Sequence, residues 1–158
     1  MATAYIALGS NLGDRAGFLK SAADRISRLP KTKLVRCSSW HETEPVGGPP
    51  QGKFLNGALK IETSLKPLDL FDRLLQIEKE LGRKPGGERW GPREIDLDLL
   101  DYDGLGLKLP ELELPHPRMS ERRFVLEPLV EIEPEWPHPI LGETAGVLLE
   151  RLRRADRP

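Results

Sequence analysis

Arg89-Trp90-Gly91-Pro92-Arg93-Glu94-Ile95-Asp96-Leu97-Asp98-Leu99-Leu100-Asp101-Tyr102-Asp103 opens as a basic loop punctuated by glycine and proline, then becomes an apolar run carrying aspartates at i and i+2. An extended chain places alternate side chains on one face, so a strand here projects Asp96 and Asp98 together and sets Ile95, Leu97 and Leu99 on the other side. Two like charges side by side repel, and aspartate is a poor strand former. A divalent cation relieves the repulsion. Magnesium is held by one or two carboxylates, keeps several waters and completes its shell with substrate phosphate oxygens. Arg89 and Arg93 stand just upstream, and a guanidinium matches phosphate in bidentate geometry. Carboxylate pair and arginine loop together point to a site for a metal-bound polyphosphate. The plainer reading is a solvated strand edge that discourages aggregation, with Trp90 a core aromatic. The aspartate pair alone does not decide between them, because short motifs match by accident.

Upstream of this stretch, Pro67 suits the first turn of a helix with an apolar stripe of Leu68, Phe71, Leu74, Leu75 and Leu81, ended by Gly82. Arg83-Lys84-Pro85-Gly86-Gly87-Glu88-Arg89 then forms a flexible basic loop, suited to closing over an anionic substrate and excluding water. Downstream, Asp103-Gly104 makes a turn, Leu112-Glu113-Leu114 a strand fragment and Pro115-His116-Pro117-Arg118 a rigid corner. Ser120 can cap a brief helix through Phe124 and Leu126, ended by Pro128. Trp136 anchors a turn-rich segment from Pro134 to Pro139. Thr144 caps a final amphipathic helix bearing Ala145, Leu148, Leu149 and Leu152, whose closing Arg151, Arg153 and Arg154 read as solvated charge at a helix C-terminus.

The N-terminal half supplies the remaining elements. Thr3 to Leu8 reads as a buried strand, and Gly9-Ser10-Asn11-Leu12-Gly13-Asp14 as a turn, since it is neither a dinucleotide fingerprint nor a Walker loop. Phe18, Leu19, Ala22, Ala23, Ile26 and Leu29 keep helical spacing up to Pro30. A second strand runs from about Lys33 to Trp40, and His41 to Gly52, the richest cluster of turn formers, is expected as a loop. His41 has no partner histidine at ligand spacing. A third strand, Phe54 to Glu62, puts Phe54, Asn56 and Ala58 on one face. A ring and a carboxamide there suit a flat heterocycle, and equally suit ordinary packing with a satisfied amide. The order β-α-β-loop-β-α-β, followed by a small C-terminal elaboration, predicts a ferredoxin-like α+β fold, with helices on an antiparallel sheet, in a single domain over 1–158.

Composition narrows the class. At 158 residues the chain is long enough for a real core, and its net charge of -1 makes no electrostatic case for nucleic acid or a membrane surface. The single cysteine, Cys37, excludes an internal disulfide and suits a reducing cytoplasm. It is expected as a buried, inert thiol in strand two. The N-terminus lacks the pattern of a secretory signal and no apolar run approaches membrane length, so a cytoplasmic, soluble domain is expected.

Taken together the residues resemble the 6-hydroxymethyl-7,8-dihydropterin pyrophosphokinase family. The resemblance rests on Ala4 through Gly13, Thr43 through Gly47, Phe54-Leu55-Asn56, Glu88-Arg89-Trp90-Gly91-Pro92-Arg93 followed by Asp96-Leu97-Asp98, Pro115-His116 and Arg122-Arg123-Phe124, in the family's order and spacing. It implies an ATP-dependent transfer of pyrophosphate to the pterin hydroxymethyl group with release of AMP, in folate biosynthesis. By resemblance, Asp96 and Asp98 hold two magnesium ions, while Arg83 and Arg93 neutralise charge on the phosphates during transfer. Glu78, Arg89, Trp90, Arg93, His116 and Arg122, with backbone near Leu99, line the ATP site. Phe54 and Phe124 sandwich the pterin ring, and Asn56 with the backbone around Thr43 and Val46 reads its polar edge. ATP and the pterin are the implied partners of a monomer, with no nucleic acid and no membrane.

Three positions depart from the family's pattern. Lys84-Pro85-Gly86-Gly87 stands where well-known members carry a further loop arginine, and Pro117 where tyrosine often follows the Pro-His pair. Glu111 lies where a basic residue is expected. Arg118 and Arg123 are candidates to replace the lost phosphate contact. Two other functions fit parts of the pattern. A nucleotide-sugar transferase also uses Asp-x-Asp, but needs a larger nucleotide-binding domain. A non-enzymatic ferredoxin-like module for nucleotides or RNA needs sheet aromatics and a basic face, which the paired aspartates and balanced charge oppose.

Overall fold

Alternating burial in the first ten residues sets the centre of the molecule. In strand β1 (Ala2–Ser10), Ala4, Ile6 and Leu8 enter one apolar core while Tyr5 and Ala7 enter a second on the opposite face. A strand buried on both faces belongs inside a sheet. Accordingly β1 pairs antiparallel with β4 (Phe54–Thr63) on one side and β5 (Asp96–Tyr102) on the other. With β2 (Thr32–Cys37) beyond β4, the order is β2-β4-β1-β5, and β3 (His41–Thr43) also pairs with β4. This computed structural model describes residues 1–44, 48, 50–82 and 94–156.

Helices α1 (Arg15–Ser27) and α2 (Pro67–Glu80) cover the Ile6 face, giving the expected α+β, ferredoxin-like order of strands and helices. The Asp14 carboxylate caps α1 by accepting from the Gly17 N–H at 3.1 Å. Pro67 starts α2 as expected, but the buried stripe is Leu70, Leu74, Ile77 and Glu78, whereas Leu68 and Leu75 are exposed. The i, i+4, i+7 spacing of Leu70, Leu74 and Ile77 is the one that keeps a helical face aligned with the sheet.

Helices α3 (Arg123–Ile132) and α4 (Ala145–Ala155) pack on the other face, against Tyr5, Ala7, Ala58 and Leu100. Thr144 caps α4 through the Val147 N–H, as its sequence predicts. Pro128 does not end α3; it lies inside it. A mid-helix proline costs about 3 kcal/mol. Val125, Leu126, Leu129 and Ile132 are all buried on this helix, and each such burial contributes about 1.5–3 kcal/mol, so packing wins. The helix is preceded by a 3-10 turn, Met119–Glu121, in which Ser120 makes no side-chain cap.

Other expectations change in detail. β1 continues through Gly9 and Ser10, which the sequence suggests as a turn, because both pair with β4. Strand two stops at Cys37, short of Trp40, and the expected loop begins with β3, whose His41, Glu42 and Thr43 pair with Asn56, Leu55 and Phe54. Cys37 is exposed on the outer strand, not buried. A two-residue strand β6 (Leu107–Lys108) pairs with β7 (Glu113–Leu114), the fragment expected near Leu112. Asp103 and Gly104 turn the chain with φ of 54° and 70°, a left-handed pair that suits Gly and Asp.

Candidate active site

Helices α3 and α4 cover part of their face of the sheet, and the site residues share that face beyond them. The register defines it. Gly9 of β1 pairs with Asn56 of β4 on one side and with Asp96 of β5 on the other. The next rung toward the helices is Ala58–Ala7–Asp98. Side-chain alternation therefore puts Phe54, Asn56, Asp96 and Asp98 on the same face as Ala7 and Ala58. Asn56 and Asp96 stand two strand spacings apart, about 9.5 Å, across a floor whose middle residue has no side chain. A Cβ built on Gly9 would come 3.2 Å from Asn56 Oδ1 and 3.6 Å from Phe54 Cδ1. Glycine inside a strand marks a place where another group approaches the backbone closely. Nothing in the isolated sequence separates Gly9 from a turn glycine; the signal that could have found it is its two-residue step from Ala7 in a strand.

Asn56 is buried, and its Nδ2 donates to Thr43 Oγ1 at 2.6 Å, which leaves its Oδ1 beside Gly9. Phe54 pairs with Thr43 and is half-buried. Thus three of the expected pterin contacts, Thr43, Phe54 and Asn56, come together at one end of β4. Phe124, on the first turn of α3, packs against the second core with the Arg122 guanidinium 5.6 Å from its ring centroid. That distance suits a cation–π contact.

Asp96 and Asp98 are half-buried on β5, with Leu97 buried between them on the opposite face. Hard oxygen donors on alternate residues, bordered by the small Gly9 and Ala7, fit magnesium, and phosphate oxygens and waters would complete its shell. Among the described residues no three His, Cys, Asp or Glu side chains converge. The Glu78 carboxylate, buried at the side of α2, accepts from the Leu97 N–H at 2.7 Å. Expected beside ATP, Glu78 here holds the backbone between the two aspartates. The Leu99 side chain is buried in the first core, so a nucleotide can meet that residue only through its main chain.

His116 follows the cis Leu114–Pro115 peptide, and its N–H donates to the Leu100 carbonyl at 2.8 Å. Burial lowers its pKa, Arg122 adds to the effect, and Asp96 opposes it. His116 therefore feels the charges of both Arg122 and Asp96. Arg118 is exposed beside them. Arg123 is committed elsewhere, donating to Glu127 at 2.9 Å and Asp156 at 2.7 Å. Arg83, Arg89, Trp90, Arg93 and Val46 lie outside the described residues, as does Lys84-Pro85-Gly86-Gly87.

The chain entering β4 is tied to the turn after β1. Asn11 Nδ2 donates to Gln51 Oε1 at 2.7 Å and to the Gly52 carbonyl at 3.1 Å. Arg15 donates to the Lys53 carbonyl at 3.0 Å and to Glu42 at 2.9 Å. Neither anchor is evident from the sequence, because the partners lie between 27 and 41 residues apart.

Comparison with known proteins places the chain in one family and fold. A family model for 7,8-dihydro-6-hydroxymethylpterin-pyrophosphokinase (HPPK) matches residues 5–134. The chain is 48% identical over 129 residues to 2-amino-4-hydroxy-6-hydroxymethyldihydropteridine pyrophosphokinase of Bacillus subtilis, covering 82% of this chain and 77% of that protein. It is 43% identical over 152 residues to the enzyme of that name from Methylorubrum extorquens, covering 96% and 94%. Among solved structures it is similar to a wild-type Plasmodium falciparum HPPK-DHPS with pteroate, at TM-score 0.76 and 16% identity, over 95% of this chain and 42% of that one. It is also similar to an HPPK-DHPS in complex with substrates, at TM-score 0.73 and 13% identity, over 98% and 44%. These two likenesses show the fold, and the chain spans less than half the length of those two structures.

Proposed function

The chain belongs to the 7,8-dihydro-6-hydroxymethylpterin-pyrophosphokinase family, and from that premise we propose how its residues divide the work. The enzyme transfers pyrophosphate from ATP to 6-hydroxymethyl-7,8-dihydropterin in folate biosynthesis. The pterin hydroxyl attacks the β-phosphorus and AMP leaves. Such a transfer asks the protein for positioning and charge stabilisation more than covalent chemistry.

One observation carries the assignment: the rung Asn56–Gly9–Asp96, which puts a heterocycle-reading amide and a metal-binding carboxylate on opposite sides of a bare strand. Phe54 and Phe124 hold the pterin ring between aromatic faces. Asn56, its amide nitrogen held by Thr43, presents Oδ1 to the ring's donor edge, and the backbone at Thr43 and Val46 completes the reading. The hydroxymethyl group then lies toward β5. Two magnesium ions on Asp96 and Asp98 would neutralise the triphosphate and polarise the attacking hydroxyl. Glu78 keeps those aspartates in register. His116, Arg122, Arg89 and Trp90 line the nucleotide, and Arg83 and Arg93 stabilise charge gathering on the phosphates. We assign this work to a single domain, a cytoplasmic monomer. No helix among the described residues is long and apolar enough to cross a membrane. Two carboxylates on the open sheet face also oppose an RNA-binding role, since they repel phosphate unless metal intervenes.

The test is AMP release from ATP, with purified protein, magnesium and 6-hydroxymethyl-7,8-dihydropterin. Release is expected to require the pterin and to stop on chelation. Undiminished release under chelation would overturn the metal assignment, and pterin-independent release would overturn the pterin site.

A further inference from the structure

Glu131 lies seven residues after Phe124 on α3, two turns along, and so on the same helical face. Its carboxylate makes three hydrogen bonds to Ser39, between β2 and β3, and to His41, the first residue of β3. Ser39 N–H donates to Oε2 at 2.7 Å, Ser39 Oγ donates to Oε1 at 2.7 Å, and His41 Nε2 lies 2.7 Å from Oε1. That segment is irregular: Ser38 Oγ accepts from Ala58 N–H and donates to the Ser39 carbonyl, and Trp40 rests against Gly57. Ser38 and Trp40 are thus held by β4, whereas Ser39 between them takes its side-chain and N–H partners from outside the sheet, on Glu131. Two residues beyond His41 comes Thr43, which holds Asn56. One carboxylate thus joins the helix carrying Phe124 to the strand carrying Thr43.

We infer that Glu131 is a positioning residue that sets the gap between the two walls of the pterin site, Phe124 on α3 and Thr43, Phe54 and Asn56 on β3 and β4. The inference rests on the pterin assignment above. It is separable from simple attachment of the helix, because α3 has a second anchor. Glu133 pairs with Lys60 and Arg36, and accepts from Tyr5 Oη at 3.2 Å. Arg36 also donates to the Ile132 carbonyl at 2.7 Å. With that anchor intact, losing Glu131 removes the bonds to Ser39 and the His41 side chain but leaves the helix docked. Catalytic geometry is sensitive to such slack, since a misplacement of about 1 Å can cost roughly a hundredfold in rate.

The experiment is steady-state kinetics of AMP release and pterin binding by fluorescence, with thermal melting of each protein. Glu131→Ala is expected to raise the pterin KM and Kd about tenfold, a partial form of that penalty, with the ATP KM unchanged. Glu131→Gln, which keeps one acceptor oxygen, should fall between Glu131→Ala and the wild type. Glu127→Gln serves as the control, since Glu127 pairs with Arg123 on its own helix and should leave the pterin KM unchanged. Were Glu131→Ala unfolded, Ser39→Ala removes one of the three bonds and should still raise the pterin KM severalfold. A lowered melting temperature with wild-type pterin KM and kcat in these variants would overturn the inference and leave Glu131 merely structural. A wild-type enzyme without pterin-dependent AMP release would instead overturn the underlying site reading.

Discussion

Asp96 and Asp98 share a direction through strand alternation, and two residues without bulk stand beside them. Gly9 and Ala7 stand opposite them on β1, where larger side chains would crowd the face that the aspartates share. Each aspartate is held in a strand that its own propensity disfavours. The pairing with β1 and the bond from Leu97 N–H to Glu78 make up the deficit. Removing one carboxylate should then leave the fold intact, because neither aspartate belongs to either apolar core. For Asp96→Ala we expect magnesium-dependent AMP release to fall at least a hundredfold, with a melting temperature within a few degrees of wild type; surface substitutions usually change stability by less than about 0.5 kcal/mol. Full activity without Asp96 would sink its role as a metal ligand. The aspartate pair was legible in the sequence through strand alternation alone. The importance of Gly9 was not, since it depends on which residues stand beside it in two other strands.

Strand β5 changes character along its length. Its register against β1 slips between Tyr5 and Ile6, so that Ile6 faces Leu99, Tyr5 faces Asp101, and Leu100 is the extra residue of a bulge. Leu100 keeps the alternation of Asp96 and Asp98 and joins the second core, and because of the insertion Asp101, following it, also meets that side, where Trp136 Nε1 donates to its Oδ2 at 3.1 Å. Gly104 N–H donates to the same oxygen at 3.3 Å, while Oδ1 has no hydrogen-bond partner among the described residues. Burial raises the Asp101 pKa, as expected for a carboxylate 3% exposed. The sequence places Trp136 as an anchor, and the bulge explains to what. Trp136→Phe should cost about 1–3 kcal/mol in urea unfolding, the penalty for an under-bonded buried polar group. The double variant Asp101→Leu with Trp136→Phe should cost less than the sum of the single changes, because no polar group is then stranded. Strict additivity would show that the pair is not coupled.

Across the whole molecule, two layers of helices clasp one sheet, and the second layer is attached by charge as well as by apolar contact. Glu131 and Glu133 both have lowered pKa values. For Glu133 the Lys60 hydrogen bond is the leading cause; for Glu131 burial opposes the lowering, and the bonds from Ser39 and His41 prevail. Each folded-state carboxyl therefore releases its proton more readily than the unfolded chain does. Their contribution to stability is complete above the ordinary value of 4.5 and is lost as pH falls through the lowered folded-state values. Glu133→Gln should accordingly lower the melting temperature at pH 7, and the gap from wild type should close as pH drops below about 4.5. A gap that stayed constant down to pH 3 would mean that the ionised Glu133 adds nothing. The balanced net charge of -1 gives no hint of this clasp, because it arises from pairs remote in the chain.

The sequence by itself determined most of the local choices: where the main strands and helices lie, the alternation that aligns Asp96 with Asp98 and Phe54 with Asn56, and the cap at Thr144. Those follow from side-chain period and from backbone groups a few residues away, which are short-range physics. Only the tertiary structure decided that β1 runs on through Gly9, that Glu78 serves the Leu97 backbone, and that Pro128 stays within α3. It also decided that Glu131 joins the two walls of the pterin site. Each of these is settled by a partner far along the chain, and the free energy of burial and hydrogen bonding with that partner outweighs the local preference that the residues would show alone.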